Sequence, residues 1–250
     1  MTSWIEQAVR RGILTTAYPA RPATEEELPE TARAPRAGVS RGASSQAAGT
    51  CPVGAIRPTG LDQGRCIRCA RCLPFGYRFD GPAEGARLRR SDLYEAPVPA
   101  SGPATLVAPP LARLGRSLHV FLIDVGSCNA CNLEILALAN PYYDSQRLGI
   151  FFTNSPRHAD VLLVVGVPTR EMETALRRTY EAMPAPKAVV AVGACAISGG
   201  AFRGTSGLRD GVTDLVAVDL YVPGCPPTPV QVLDGLLELM GRARGPAEVA

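Results

Sequence analysis

From Gly115 onward, short apolar runs alternate with stretches whose apolar positions recur at helical spacing. The runs 118–125, 148–152, 161–167, 188–192 and 215–222 have strand length and are nearly continuously apolar, as strands covered on both faces are. Between and after them the spacing predicts helices over 132–139, 170–183 and 229–241. Met172, Ala175, Leu176, Tyr180 and Met183 fall on one face of the second, and Val230, Leu233, Leu237 and Met240 recur along the third. Strand then helix, repeated with apolar strands, predicts an α/β fold with a parallel, doubly wound sheet.

The N-terminal half has a different texture. Over 3–14, Trp4, Ile5, Ala8 and Val9 stand against Glu6, Gln7, Arg10 and Arg11, which predicts a short amphipathic helix for a membrane surface, a partner or the protein's own body. Residues 19–50 are mostly Pro, Ala, Glu, Arg, Gly and Ser, with Leu28 and Val39 the only large aliphatic side chains; this reads as a linker or extended wrap. A cysteine-rich stretch, 51–82, and a second Pro/Ala/Gly-rich link, 83–115, lead to the regular region, 116–250. Two modules are therefore expected, preceded by a lead-in over 1–18.

Composition narrows the functions. The 250 residues are 46% hydrophobic, enough for a sizeable core, and the formal charge of +3 comes from 26 basic and 23 acidic residues without a basic run. Nucleic-acid binding has no support. The longest apolar stretches, 161–167 and 188–197, have strand length, so the chain is expected not to cross a bilayer. Arg10 and Arg11 look faintly like a twin-arginine signal, but 15–29 supplies neither an apolar segment nor a cleavage site, and export is not expected.

The eight cysteines carry the chemistry. Without a signal peptide, clustered thiols at short spacing read as metal ligands and not as disulfides. Cys128 and Cys131 follow the first strand in Gly-Ser-Cys-Asn-Ala-Cys, Cys195 follows the fourth in Gly-Ala-Cys, and Cys225 follows the last in Pro-Gly-Cys-Pro-Pro. Ligands of open α/β sheets bind outside the carboxyl ends of the strands, so these four thiolates can converge from three loops. Four thiolates suit a [4Fe–4S] cluster or structural zinc; two single cysteines framed by Gly and Pro favour the cluster, because such loops can approach a bulky body closely. In the smaller module, Cys66, Cys69 and Cys72 form the first three positions of a ferredoxin run whose fourth cysteine is missing, while Cys51-Pro52 stands upstream. Cys51, Cys66, Cys69 and Cys72 complete a second site.

The motifs Gly-Ser-Cys-Asn-Ala-Cys-Asn-Leu-Glu at 126–134, Ser-Pro-Arg-His-Ala-Asp-Val at 155–161, Gly-Ala-Cys-Ala-Ile-Ser-Gly-Gly at 193–200 and Val-Pro-Gly-Cys-Pro-Pro at 222–227 resemble the small subunit of complex I-related nickel–iron hydrogenases of the formate hydrogenlyase type, homologous to the 20 kDa cluster-bearing subunit of complex I. The N-terminal half resembles a trimmed ferredoxin-like subunit of the same complexes, which implies a fusion. The resemblance implies a flavodoxin-like doubly wound sheet preceded by a small ferredoxin-like iron–sulfur module. It also implies two [4Fe–4S] clusters, on Cys128, Cys131, Cys195, Cys225 and on Cys51, Cys66, Cys69, Cys72.

The implied partners are a large subunit with the nickel–iron site, membrane-embedded complex I-like subunits and a ferredoxin-like electron partner, on the inner face of the cell membrane. Cys128 and Cys131 are separated by two residues, as in hydrogenases, where complex I subunits place two cysteines in tandem. Ala130 and Asn132 depart from the relatives' usual Gly and Asp. Glu134, near the expected helix start, is a candidate for proton transfer as well as an ordinary helix-start acid. His119 and His158 are read as structural. A quinone-linked oxidoreductase and a zinc-stabilised scaffold are the alternatives.

Overall fold

The computed structural model describes residues 6, 12, 15–25, 27–29, 36–37, 41–57, 60–79, 86–95 and 110–242. The amphipathic helix expected over 3–14 lies, apart from Glu6 and Gly12, outside the described residues.

The smaller module is built from short elements. β1 (Arg36–Ala37) is followed by α1 (Arg41–Thr50), β2 (Ile56–Arg57), β3 (Gly60–Asp62), β4 (Tyr77–Arg78) and β5 (Tyr94–Glu95). β1 pairs with β4, and β2, β3 and β5 form an antiparallel sheet in that order. Its small core joins Ala47, Ala55, Ile56, Leu61 and Tyr77 to Cys51, Cys66 and Cys72.

Two segments expected as linkers are corrected here. Within 19–50, the Ala-containing stretch forms α1, and burial of Ala47 against the module holds a helix whose sequence alone shows no apolar face. Within 83–115, residues 86–95 are packed: Leu93 is buried, Tyr94 and Glu95 pair with β3, and Arg87 exchanges backbone hydrogen bonds of 2.9 and 2.8 Å with Tyr221.

The larger module continues with β6 (Leu118–Asp124), α2 (Ala130–Ala137), β7 (Ile150–Phe152), β8 (Val161–Val165), α3 (Arg170–Ala182), β9 (Ala188–Val192), α4 (Gly193–Ser198), β10 (Leu220–Val222) and α5 (Pro229–Leu239). All neighbours in the sheet are parallel, in the order β7-β6-β8-β9-β10. Renumbered from β6, this is the flavodoxin-like order 2-1-3-4-5, as expected.

Strand alternation divides the core. Val161, Leu163 and Val165 face α2 and α5 through Ile135, Leu138, Val230, Leu233 and Leu237. Leu162 and Val164 face the opposite layer, which holds Leu176 of α3 and Ala196 and Ile197 of α4. Thr169 caps α3 by accepting from Met172 N, and Thr228 and Gln231 form a reciprocal capping box on α5.

The apolar run 188–197 breaks at Gly193, whose φ of +86° turns the chain into α4. The strand expected over 215–222 is confined to Leu220–Val222: Leu215 and Val216 are buried in turns, and Asp219 binds Val189 N through its carboxylate. No helix among the described residues is long and apolar enough to cross a membrane.

At the point where the strand order reverses, the loops after β6 and β8 meet backbone to backbone. A Cβ on Gly166, at φ +89°, would lie 2.5 Å from both Gly126 C and Ser127 N. Gly166→Ala is therefore expected to destabilise the fold by about 3 kcal/mol in denaturant unfolding; a loss below about 1 kcal/mol would show that this contact yields easily.

Candidate functional site

Each strand of the larger module delivers its following residues to the same edge of the sheet. After β6 the chain turns through Asn129, at φ +71°, into α2, so that Cys128 precedes the helix and Cys131 lies within its first turn. Cys195 is carried by α4 after β9, and Cys225 by the loop after β10. The Ala194 N–H donates to the Gly224 carbonyl at 2.8 Å, tying the last two loops together. Across from them, a Cβ on Gly193 would stand 2.7 Å from Cys131 Sγ, and one on Gly200 would stand 2.9 Å from Cys195 Sγ. Glycine is what allows backbone to lie against these sulfurs.

Burial pushes the Cys131 thiol up to about 12 and Cys195 to about 11, and the neighbouring thiols of the set push further in the same direction. Cys225 is raised by burial and by Cys128. Thiols whose ionisation is opposed in this way favour a strongly cationic centre among them, which would make their thiolates favourable.

The second set follows the same logic. Cys51, Cys66, Cys69 and Cys72 line one cavity with Val53, Ile56, Leu61, Ile67 and Phe79. Burial pushes Cys66 up to about 12, with Cys72 and Cys51 adding to the shift. The Ala55 N–H points at Cys51 Sγ and the Arg68 N–H at Cys66 Sγ, at 3.3 and 3.4 Å; such donors favour sulfur that carries negative charge. All eight cysteines are free thiols. Among the described residues no three His, Cys, Asp or Glu side chains stand close enough to hold a single metal ion.

Glu134 is the fifth residue of α2, which begins at Ala130, two residues before its expected start. The helix-start reading of Glu134 is thereby corrected: it lies beyond the first turn, where the dipole acts weakly. It is half-buried beside Cys131, and burial raises its pKa. His158 is exposed in a turn, and His119 pairs with Asp160 at 3.4 Å and stacks on Phe151.

Two residues escaped the sequence reading. Asp124, at the end of β6, accepts from Gly126 N, Ser127 N, Ser127 Oγ and Asn132 Nδ2 at 2.6–2.9 Å, and these bonds hold its carboxyl below the usual range despite some desolvation. It shapes the loop that carries Cys128. Arg68, between Cys66 and Cys69, reaches into the larger module. An acid before a Gly-Ser turn was a usable signal for Asp124; nothing in the sequence locates the Arg68 side chain.

Asp124 also explains Asn132. A carboxylate at 132 would face that of Asp124 where an amide now donates at 2.6 Å. Asn132→Asp is expected to lower stability by on the order of 1 kcal/mol, and the penalty should vanish in an Asp124→Asn background. Equal costs in both backgrounds, measured by denaturant unfolding, would refute the charge conflict.

Residues 128–239 match the family described as NADH ubiquinone oxidoreductase, 20 Kd subunit. Formate hydrogenlyase subunit 7 of Escherichia coli (strain K12) is 42% identical over 152 residues, 58% of this chain and 60% of that protein. "Probable membrane-bound hydrogenase subunit mbhJ" of Pyrococcus furiosus is 42% identical over 124 residues, 50% of this chain and 74% of that protein. One of the F(420)H(2) dehydrogenase subunits of Methanosarcina mazei is 41% identical over 114 residues, 46% of this chain and 62% of that protein. The match thus takes in less than two thirds of the first and third of these relatives. With its fold, its matched motifs and this degree of identity, the chain belongs to the NADH ubiquinone oxidoreductase 20 Kd subunit family, a family of oxidoreductase subunits.

Proposed function

We propose that this chain is the electron-transferring small subunit of a membrane-associated nickel–iron hydrogenase complex, with two [4Fe–4S] clusters on its two cysteine sets. The observation that carries the reading is the convergence of Cys128, Cys131, Cys195 and Cys225 from three strand-end loops against glycine backbone. Bound there, a cluster supplies one-electron acceptance and release.

The chain's own residues do the rest. Thiolates from three loops hold the group, Gly193 and Gly200 leave it room, and the apolar core behind Cys131 limits water. Glu134, with its raised carboxyl pKa, can hold and pass a proton on the same helix as Cys131. The set of Cys51, Cys66, Cys69 and Cys72 relays electrons to or from a ferredoxin-like partner.

The reading also requires a surface for the large subunit. Leu133 and Leu136 of α2 are 60% and 63% exposed, and Leu136 borders a groove with Phe121, Leu122 and Phe152. An apolar face beside Cys131 suits a protein interface. In the assembly the chain sits peripherally on the inner face of the cell membrane, next to membrane-embedded complex I-like subunits. The two-residue spacing of Cys128 and Cys131 favours hydrogen over quinone as the reacting species.

Anaerobically purified chain is expected to contain about eight iron and eight acid-labile sulfides; stoichiometric zinc without a reducible paramagnetic signal would instead establish the scaffold. Cys51→Ser should abolish the same cluster signal as Cys69→Ser and spare the one lost in Cys225→Ser, and the opposite grouping would overturn the pairing. In the assembled complex, Glu134→Gln should slow hydrogen turnover by about tenfold or more with cluster content unchanged. Wild-type turnover in that variant would remove Glu134 from the proton route.

A further inference from the structure

The two cysteine sets share one cation. Arg68 sits in the turn between Cys66 and Cys69 at φ +55°, a conformation uncommon for a side chain of its size. That turn sends its guanidinium out of the small module, where Nη2 donates to the Pro223 carbonyl at 3.1 Å and Nη1 to Gln231 Oε1 at 3.3 Å. Pro223 opens the loop that carries Cys225, and Gln231 belongs to the capping box of α5. Both acceptors are uncharged, and no carboxylate among the described residues pairs with Arg68. It stands between the two sets: its backbone N–H points at Cys66 Sγ at 3.4 Å, and the Pro223 carbonyl it binds lies two residues before Cys225.

Even half-buried, a guanidinium without a carboxylate is costly unless another anion compensates it. The Arg68 guanidinium carries its charge at neutral pH. A thiolate-ligated cluster is an anion and gains a further negative charge on reduction, so a fixed cation nearby favours the reduced form.

On the reading that both cysteine sets hold clusters, we propose that Arg68 is their shared counter-cation: fixed to Pro223 O and Gln231 Oε1 between the sets, it raises the reduction potential of both clusters and clamps the small module onto the Cys225 loop. A lysine would keep the charge but not the forked contact to two acceptors, which separates the electrostatic part from the clamp.

The test is a redox titration of the full chain, purified anaerobically, with each cluster followed by its own paramagnetic signal. Arg68→Gln is expected to keep its iron and sulfide and to disfavour reduction of both clusters about tenfold, roughly 59 mV for a one-electron couple. Arg68→Lys should return both potentials to within about twofold of wild type. Unchanged potentials in a fully loaded Arg68→Gln chain, or a shift confined to one cluster, would overturn the proposal. If Arg68→Gln does not retain both clusters, Arg68→Lys decides: potentials near wild type support the shared charge, and a tenfold fall in either refutes it. A wild-type chain without iron would defeat the cluster reading itself, an outcome distinct from any of these.

Discussion

Close backbone approach at the carboxyl edge of the parallel sheet is the constraint on which the rest of this molecule depends. The loops after β6 and β8 touch where Gly126 and Gly166 leave no room for a Cβ, and the loops after β9 and β10 are joined by the bond from Ala194 N to Gly224 O. Gly193 lies against Cys131 Sγ. Three loops far apart in sequence thus reach one place because the strands run parallel in a 2-1-3-4-5 order, and because the chain can pack backbone on backbone there. At this edge the absence of side chains sets the spacing.

The larger module was legible because its local and global signals agree. β8 and β9 are buried on both faces and read as unbroken apolar runs; α3 and α5 carry capping residues as well as apolar periodicity. The strand Ala188–Val192 was read with the bounds it has; the short helix Gly193–Ser198 was missed, because the run of small and apolar residues continues past a glycine with positive φ. Leu215 and Val216 are buried without pairing, which hydrophobicity cannot distinguish from a strand.

Which cysteines lie near one another was legible for a different reason: short spacing is a local signal, and strand ends are predictable positions. Their surroundings were not. Asp124 and Arg68 act through contacts with backbone amides and with a carbonyl 155 residues away, and no periodicity records such partners. The smaller module was under-read because its strands are two or three residues long and its described α-helix, α1, has no strong apolar stripe; it is organised by burial around the thiols.

Residues 86–95 have a consequence beyond their own packing. One end of this segment extends the sheet of the small module at Tyr94 and Glu95, while Arg87 pairs with Tyr221 on the outer strand of the large one. The connection therefore acts as a splint. Two modules on separate chains would meet at a rate and occupancy set by their concentrations; joined this way, each faces the other at a fixed effective concentration that dilution does not change. Covering β10 with Arg87 also protects an edge that could otherwise recruit a foreign strand, so the same short segment secures the pairing of the two units and discourages unwanted ones.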